Sequence, residues 1–121
     1  MEYVFVYGTL KENHHNNRVM TNSNGELIGE ASVLDGFCLY DLGPFPAAIK
    51  APEVVAEIHG ELWKVESLQR LDWLEGYPEF YDREECPVQT VSPDGGETIK
   101  AHIYFMRQAP AGATPVEGGR W

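Results

Sequence analysis

A small, mostly β domain whose strands curl into a barrel or a strongly bent sheet is the fold class predicted by this sequence, on three observations. Six or seven apolar or alternating segments of strand length are separated by turns rich in Gly, Pro and Asp. One stretch, Ser67 to Pro78, carries helical spacing. Strands and helices do not alternate along the chain, which argues against a parallel α/β fold. Strands of this number in one small domain usually close or bend strongly. The chain has 121 residues, 43% of them hydrophobic, enough for one core and too few for two ordinary domains. A single domain is expected over 1–107, with 108–121 an extended C-terminal tail, rich in Ala, Gly and Pro, from which Trp121 is free to dock.

The first strand is Tyr3 to Tyr7, apolar nearly throughout, as a strand covered on both faces requires. It ends at Gly8, where glycine permits unusual backbone geometry and leaves room for a ligand beside the main chain. Glu12 to Asn24 is polar and reads as a loop with one helical turn near Asn17 to Met20. Glu26 to Val33 and Phe37 to Leu42 are strands on either side of the turn signal Asp35-Gly36. Gly43 to Pro46 reads as a rigid loop in which one X-Pro bond is a candidate for the cis form. Val54 to Val65 is a long strand with Gly60 as a candidate bulge. Tyr81 to Val91 and Thr98 to Met106 flank the turn Ser92 to Gly96 and should pair as a hairpin.

The helix between these strands has Ser67 as its expected N-cap. Leu68, Leu71 and Leu74 form its apolar face, and Gly76 and Pro78 stop it. Glu75 does not fit the pattern. It lies four residues after Leu71 and seven after Leu68, so it points where the leucines point. Desolvation and the C-terminal end of the helix dipole both raise the pKa of a Glu so placed. A carboxylate of that kind suits general base and then general acid work near neutral pH. The bland alternative is a small helix rotation that carries Glu75 to solvent or to an Arg.

Nine basic and nineteen acidic residues give a net charge of −10. Nucleic acid and anionic membrane surfaces are therefore poor partners. Cys38 and Cys86 form neither a CxxC motif nor a disulfide framework and are expected to be reduced core residues. There is no secretory signal and no apolar run of membrane-spanning length, so a cytoplasmic protein is expected. No HxxxH pair or carboxylate triad supports a metal, and no P-loop, GxSxG or GxGxxG is present. His14 and His15 read as part of a solvated loop. No cofactor is expected.

The stretch Val6-Tyr7-Gly8-Thr9-Leu10-Lys11, followed by Asn16, Arg18 and Val19, resembles the γ-glutamylcyclotransferase-like superfamily, and within it the γ-glutamylamine cyclotransferase branch. The likeness continues through Gly60 to Val65 and Leu71 to Pro78, then Tyr81, Arg83 and Tyr104. It implies an α+β fold, a small mixed β-barrel of six to seven strands with a few short helices. It implies that Tyr7, Gly8, Thr9 and Leu10 hold the substrate, with Tyr81 and Tyr104 near the pocket, and that Glu75 is the catalytic acid/base. The expected activity is cyclisation of a small γ-glutamyl amine or γ-glutamyl amino acid to 5-oxoproline with release of the amine. Asn13, where many relatives carry Gly, and a shorter C-terminal region than the animal enzymes bear on the leaving group more than on the chemistry. The alternative from another class is a non-catalytic module that binds a small molecule or a protein on the same barrel. Neither the oligomeric state nor the leaving amine follows from the residues.

Overall fold

The computed structural model describes residues 2–8, 20, 23–34, 36–43, 45–51, 57–91 and 96–119. Thr9, Leu10, His14, His15, Asp35, Pro44, 52–56, 92–95 and Trp121 lie outside them, so the expectations placed on those residues do too. The strands are β1 (Glu2–Val6), β2 (Glu26–Leu34), β3 (Gly36–Asp41), β4 (Pro46–Ala51), β5 (Glu57–Val65), β6 (Asp82–Thr90), β7 (Thr98–Met106) and β8 (Thr114–Pro115). One helix, α1 (Gln69–Glu75), precedes β6, and a 3-10 turn (Glu117–Gly119) follows β8.

The pairing order is β1-β5-β2-β6-β7-β4-β3-β8, with a further pairing of β1 on β7. That last contact closes β1, β5, β2, β6 and β7 into a ring. It is parallel, Val4 opposite His102 and Phe5 opposite Ile103, and it joins segments almost the full chain apart. The edge of β7 then forks. Its middle pairs with β1 and its C-terminal end with β4, Ala48 opposite Phe105 and Ile49 opposite Met106. β3 and β8 continue the sheet beyond β4.

Strand β1 is buried on both faces, as its unbroken apolar run predicts. Phe5 and Tyr7 belong to a cluster supplied by every strand of the ring, including Ala31, Leu62, Val88 and Ile103. Val4 and Val6 belong to a second cluster with Trp63, Leu68, Leu71, Tyr81 and Tyr104, which lies under α1. A seven-residue helix is marginal alone. Burial of Leu68 and Leu71, worth about 1.5–3 kcal/mol each, holds it on the sheet.

Four local expectations are corrected. Strand β4 starts at Pro46, where a loop is predicted. Pro is tolerated at the first residue of a strand, and the Ala47-Ala48 pair that follows has weak strand propensity but is fully buried, where only small side chains fit. The bulge falls in β2 between Leu27 and Gly29 rather than at Gly60, which sits opposite Ala31 in regular register. Leu68 rather than Ser67 takes the N-cap position of α1, although the Ser67 hydroxyl accepts the Gln69 N–H at 3.1 Å. Of the candidate cis bonds, Phe45-Pro46 is trans and Gly43-Pro44 lies outside the described residues, among which the cis X-Pro bond is Tyr77-Pro78.

The expected stop of α1 is present. Gly76 is left-handed, with φ 65°, and Gly76 N–H and Tyr77 N–H bond back to Trp73 and Asp72 carbonyls, the pattern that satisfies the open carbonyls of a helix end. The hairpin β6–β7 pairs from Asp82 opposite Phe105 to Gln89 opposite Thr98. Beyond β7, Tyr40 pairs with Pro115, and Val116 N–H reaches the Leu39 carbonyl at 2.9 Å. Both cysteines are free. Burial, with the Glu84 charge behind it, pushes the Cys86 thiol up to about 12, so it is an inert core thiol. Among the described residues, no helix is long and apolar enough to cross a membrane.

Candidate active site

The fork in the sheet explains the first site residue. Where β1 leaves the edge of β7 and β4 takes over, two backbone groups face a gap in the ladder. The Tyr7 hydroxyl fills it, donating to the Tyr104 carbonyl at 2.6 Å and accepting the Ala48 N–H at 2.9 Å. A buried peptide group without a partner is costly, so this phenol ties β1, β4 and β7 together at one point. Gly8 follows directly and is buried. A Cβ there would stand 2.8 Å from the ring of Pro46, so glycine is required by the close approach of the β4 start.

Pro46 reaches a second tyrosine. Tyr81, at the entrance to β6, donates its hydroxyl to the Pro46 carbonyl at 2.9 Å. Tyr104, on β7, donates its hydroxyl to Asp72 Oδ1 at 2.6 Å. Asp72 is half-buried on α1, and Arg83 Nε lies 3.0 Å from the same oxygen. Asp72 and Arg83 are contacts that helical spacing does not reveal, since an Asp at this position of an amphipathic helix reads as solvent-facing.

Glu75 stands among these groups. Its charge acts on the hydroxyls of Tyr7, Tyr81 and Tyr104 and helps raise all three, after the larger effect of burial. For Tyr104 the bond to Asp72 also contributes more than Glu75 does, and Arg83 opposes it. Glu75 keeps partial access to solvent. Desolvation by the surrounding packing nonetheless lifts its carboxyl to about 7. Among the described residues it has no hydrogen-bond or ion-pair partner. Among the described residues, the tyrosine hydroxyls near it are committed elsewhere, Tyr7 to Tyr104, Tyr81 to Pro46 and Tyr104 to Asp72, and Arg83 is ion-paired with Asp72, although its buried Nε makes no hydrogen bond. The result is a carboxylate without a partner among the described residues that can change protonation near neutral pH, beside the Tyr7, Tyr81 and Tyr104 hydroxyls.

The structure thus brings Glu75, Tyr7, Tyr81 and Tyr104 together, with Gly8 beside them through Pro46. Thr9 and Leu10 are outside the described residues. Among the described residues, no group of three His, Cys, Asp or Glu side chains is arranged to hold a metal ion. An aromatic edge adjoins the site: Phe80 packs on Tyr81 and on Phe45, ring centroids 5.1 and 6.1 Å apart. A separate groove of about 490 Å³ lies along the N-terminal half of α1, lined by Glu2, Glu66, Asp72, Arg83 and His102 among others.

Comparison with known proteins agrees with this architecture. Residues 4–121 match the family model described as gamma-glutamyl cyclotransferase, AIG2-like. A Methanocaldococcus jannaschii protein that carries a provisional gamma-glutamylcyclotransferase name is 33% identical over 111 residues, covering 90% of this chain and 88% of its own. A gamma-glutamylcyclotransferase family protein of Escherichia coli is 32% identical over 120 residues, 98% of this chain and 94% of its own. The crystal structure of a mouse AIG2-like protein superposes with a TM-score of 0.80 at 28% identity, over 91% of this chain and 80% of that one. The chain therefore belongs to the gamma-glutamyl cyclotransferase, AIG2-like family, and is an enzyme of the gamma-glutamylcyclotransferase-like type.

Proposed function

We propose that the protein releases 5-oxoproline and a free amine from a small γ-glutamyl amine or γ-glutamyl amino acid by intramolecular aminolysis, with Glu75 as the general base and then the general acid. The observation that carries this reading is the largely desolvated Glu75 carboxyl, without a partner among the described residues and raised to about 7.

The substrate holds its own nucleophile, the α-amine, which is protonated and inert at neutral pH. Glu75 takes one of its protons. The freed amine attacks the γ-carbonyl, the new ring C–N bond forms, and the carbonyl oxygen takes negative charge. The main-chain N–H groups of Gly8, Thr9 and Leu10 are the donors proposed for that oxygen. Glu75 then gives its proton to the departing nitrogen as the amide bond breaks. The ring nitrogen sheds its remaining extra proton, which the free amine carries away as ammonium. Charge is conserved, and no covalent enzyme intermediate is needed. Tyr7, Tyr81 and Tyr104, their hydroxyls anchored on the protein, form rigid walls that fold the substrate toward its cyclic shape.

The test is direct measurement of 5-oxoproline release from a panel of γ-glutamyl amines, γ-glutamyl amino acids and γ-glutamyl-lysine. The acid limb of kcat/KM should fall near pH 7, because activity needs Glu75 ionised, and activity should drop as pH falls through that value. A limb near 4.5 would contradict the assignment. Retention of a γ-glutamyl ligand with no 5-oxoproline released would identify a binding module instead. Gly8→Ala should cost at least tenfold in kcat/KM while the protein stays folded, since the added methyl must move Pro46 and with it the Tyr81 anchor. The two free thiols fit a cytoplasmic setting for the reaction.

A further inference from the structure

The isolation of Glu75 among the described residues needs a cause, because Glu75 and Arg83 both act on Tyr104 and a carboxylate and an arginine so placed normally pair. Arg83 lies along α1: its guanidinium is over the Tyr77 ring at 4.8 Å, its Nε is 3.0 Å from Asp72, and its Nη1 is 3.2 Å from His102 Nδ1. Arginine can only donate, so His102 Nδ1 accepts and His102 Nε2 carries the hydrogen toward Glu2 Oε2, 3.0 Å away. Asp72 and Glu75 are three residues apart on the helix, neighbours on one face. The guanidinium rests on Asp72 and Tyr77, residues that flank Glu75 in the chain. Tyr104 is in the same position, for it bonds Asp72 while facing Glu75. Asp72 Oδ1 accepts the Tyr104 hydroxyl and is the ion-pair partner of Arg83, whose Nε makes no hydrogen bond.

We infer that Asp72 is a positioning residue that holds the Arg83 guanidinium and the Tyr104 hydroxyl away from Glu75, and so keeps the Glu75 carboxylate bare. It acts through Arg83 and Tyr104 and does not touch the reacting atoms. Among the described residues, the groups facing Glu75 are Tyr7 from the end of β1, Tyr81 from the entrance to β6 and Tyr104 from β7. Those facing the Asp72–Arg83 pair are Tyr77, Tyr104 and His102, with Glu2 behind. The inference builds on the proposed role of Glu75, but its first readout needs no activity.

Asp72→Asn leaves an acceptor for Tyr104 and removes the charge that holds Arg83. The released guanidinium then pairs with Glu75. Side-chain carbon NMR should show the Glu75 carboxyl titrating at least about one pH unit lower than in the parent protein. The acid limb of kcat/KM should move down with it, with kcat falling more than KM changes. The double variant Asp72→Asn with Arg83→Met should return the Glu75 titration to its parent value, because the cation is gone. If Asp72→Asn does not fold, Asp72→Ser keeps a hydroxyl for Tyr104 and carries the same expectation. An unmoved Glu75 titration in a folded variant overturns the inference: Arg83 would then have turned into the groove toward Glu2 or Glu66, and Asp72 would be structural only. Absence of 5-oxoproline release by the parent protein would defeat the proposed function and leave this titration result standing.

Discussion

Glu75→Gln is expected to reduce 5-oxoproline release by about 10²–10⁴-fold while making the protein more stable at alkaline pH. The two effects share one cause. The folded carboxyl titrates at about 7 against an ordinary 4.5 because its surroundings disfavour charge. Its contribution to stability is therefore fully present below about pH 4.5 and is lost as pH rises through about 7. At pH 8 the ionised Glu75 costs about 1–3 kcal/mol, a range that allows for its partial access to solvent. The neutral Gln avoids this cost. Melting temperatures should match at pH 4 and differ by several degrees at pH 8, with the variant higher. Full activity in this variant would remove Glu75 from the mechanism. An equal difference in melting temperature at both pH values would show that burial of charge is not what distinguishes the two proteins.

Gly60→Ala should cost at least about 3 kcal/mol, a loss large enough to unfold many domains of this size. A Cβ at position 60 would lie 2.2 Å from the Val6 carbonyl oxygen and 2.9 Å from Phe5 Cζ. Both obstacles belong to β1, which is packed on both faces and paired on both edges. It cannot move aside without opening the ring. A urea midpoint close to that of the parent protein would disprove the close approach. Gly60 is thus a packing glycine. Sequence shows only that a glycine interrupts a strand, and a bulge is the commoner reason for that.

Local signals were reliable where one segment's own pattern decides its state. The apolar run Tyr3 to Tyr7 announces a strand covered on both sides, and Gly76 with Pro78 announces a helix end. The turn residues between β6 and β7 announce their hairpin. Strand β4 is not legible locally, because Pro46 belongs to a loop signal and the two Ala residues after it have weak strand propensity, and only burial in the fork makes them a strand. The site follows the same division. The inward direction of Glu75 can be read from Leu68 and Leu71, since helical spacing is a short-range property. The binding of Tyr104 and Arg83 to Asp72, and the sealing of the fork by Tyr7, cannot be read that way.

What the chain determines by itself is a β-rich domain with one capped helix, and a carboxylate on the wrong side of that helix. Periodicity and turn chemistry act over a few residues and need no partner. What only the tertiary structure decides is whether that carboxylate stays unpaired. The answer depends on closing β1 against β7 and on which acceptor takes each tyrosine hydroxyl and the Arg83 guanidinium. Those contacts join residues from 11 to almost 100 positions apart, and their hydrogen bonds strengthen one another only when the whole network is taken out of water together.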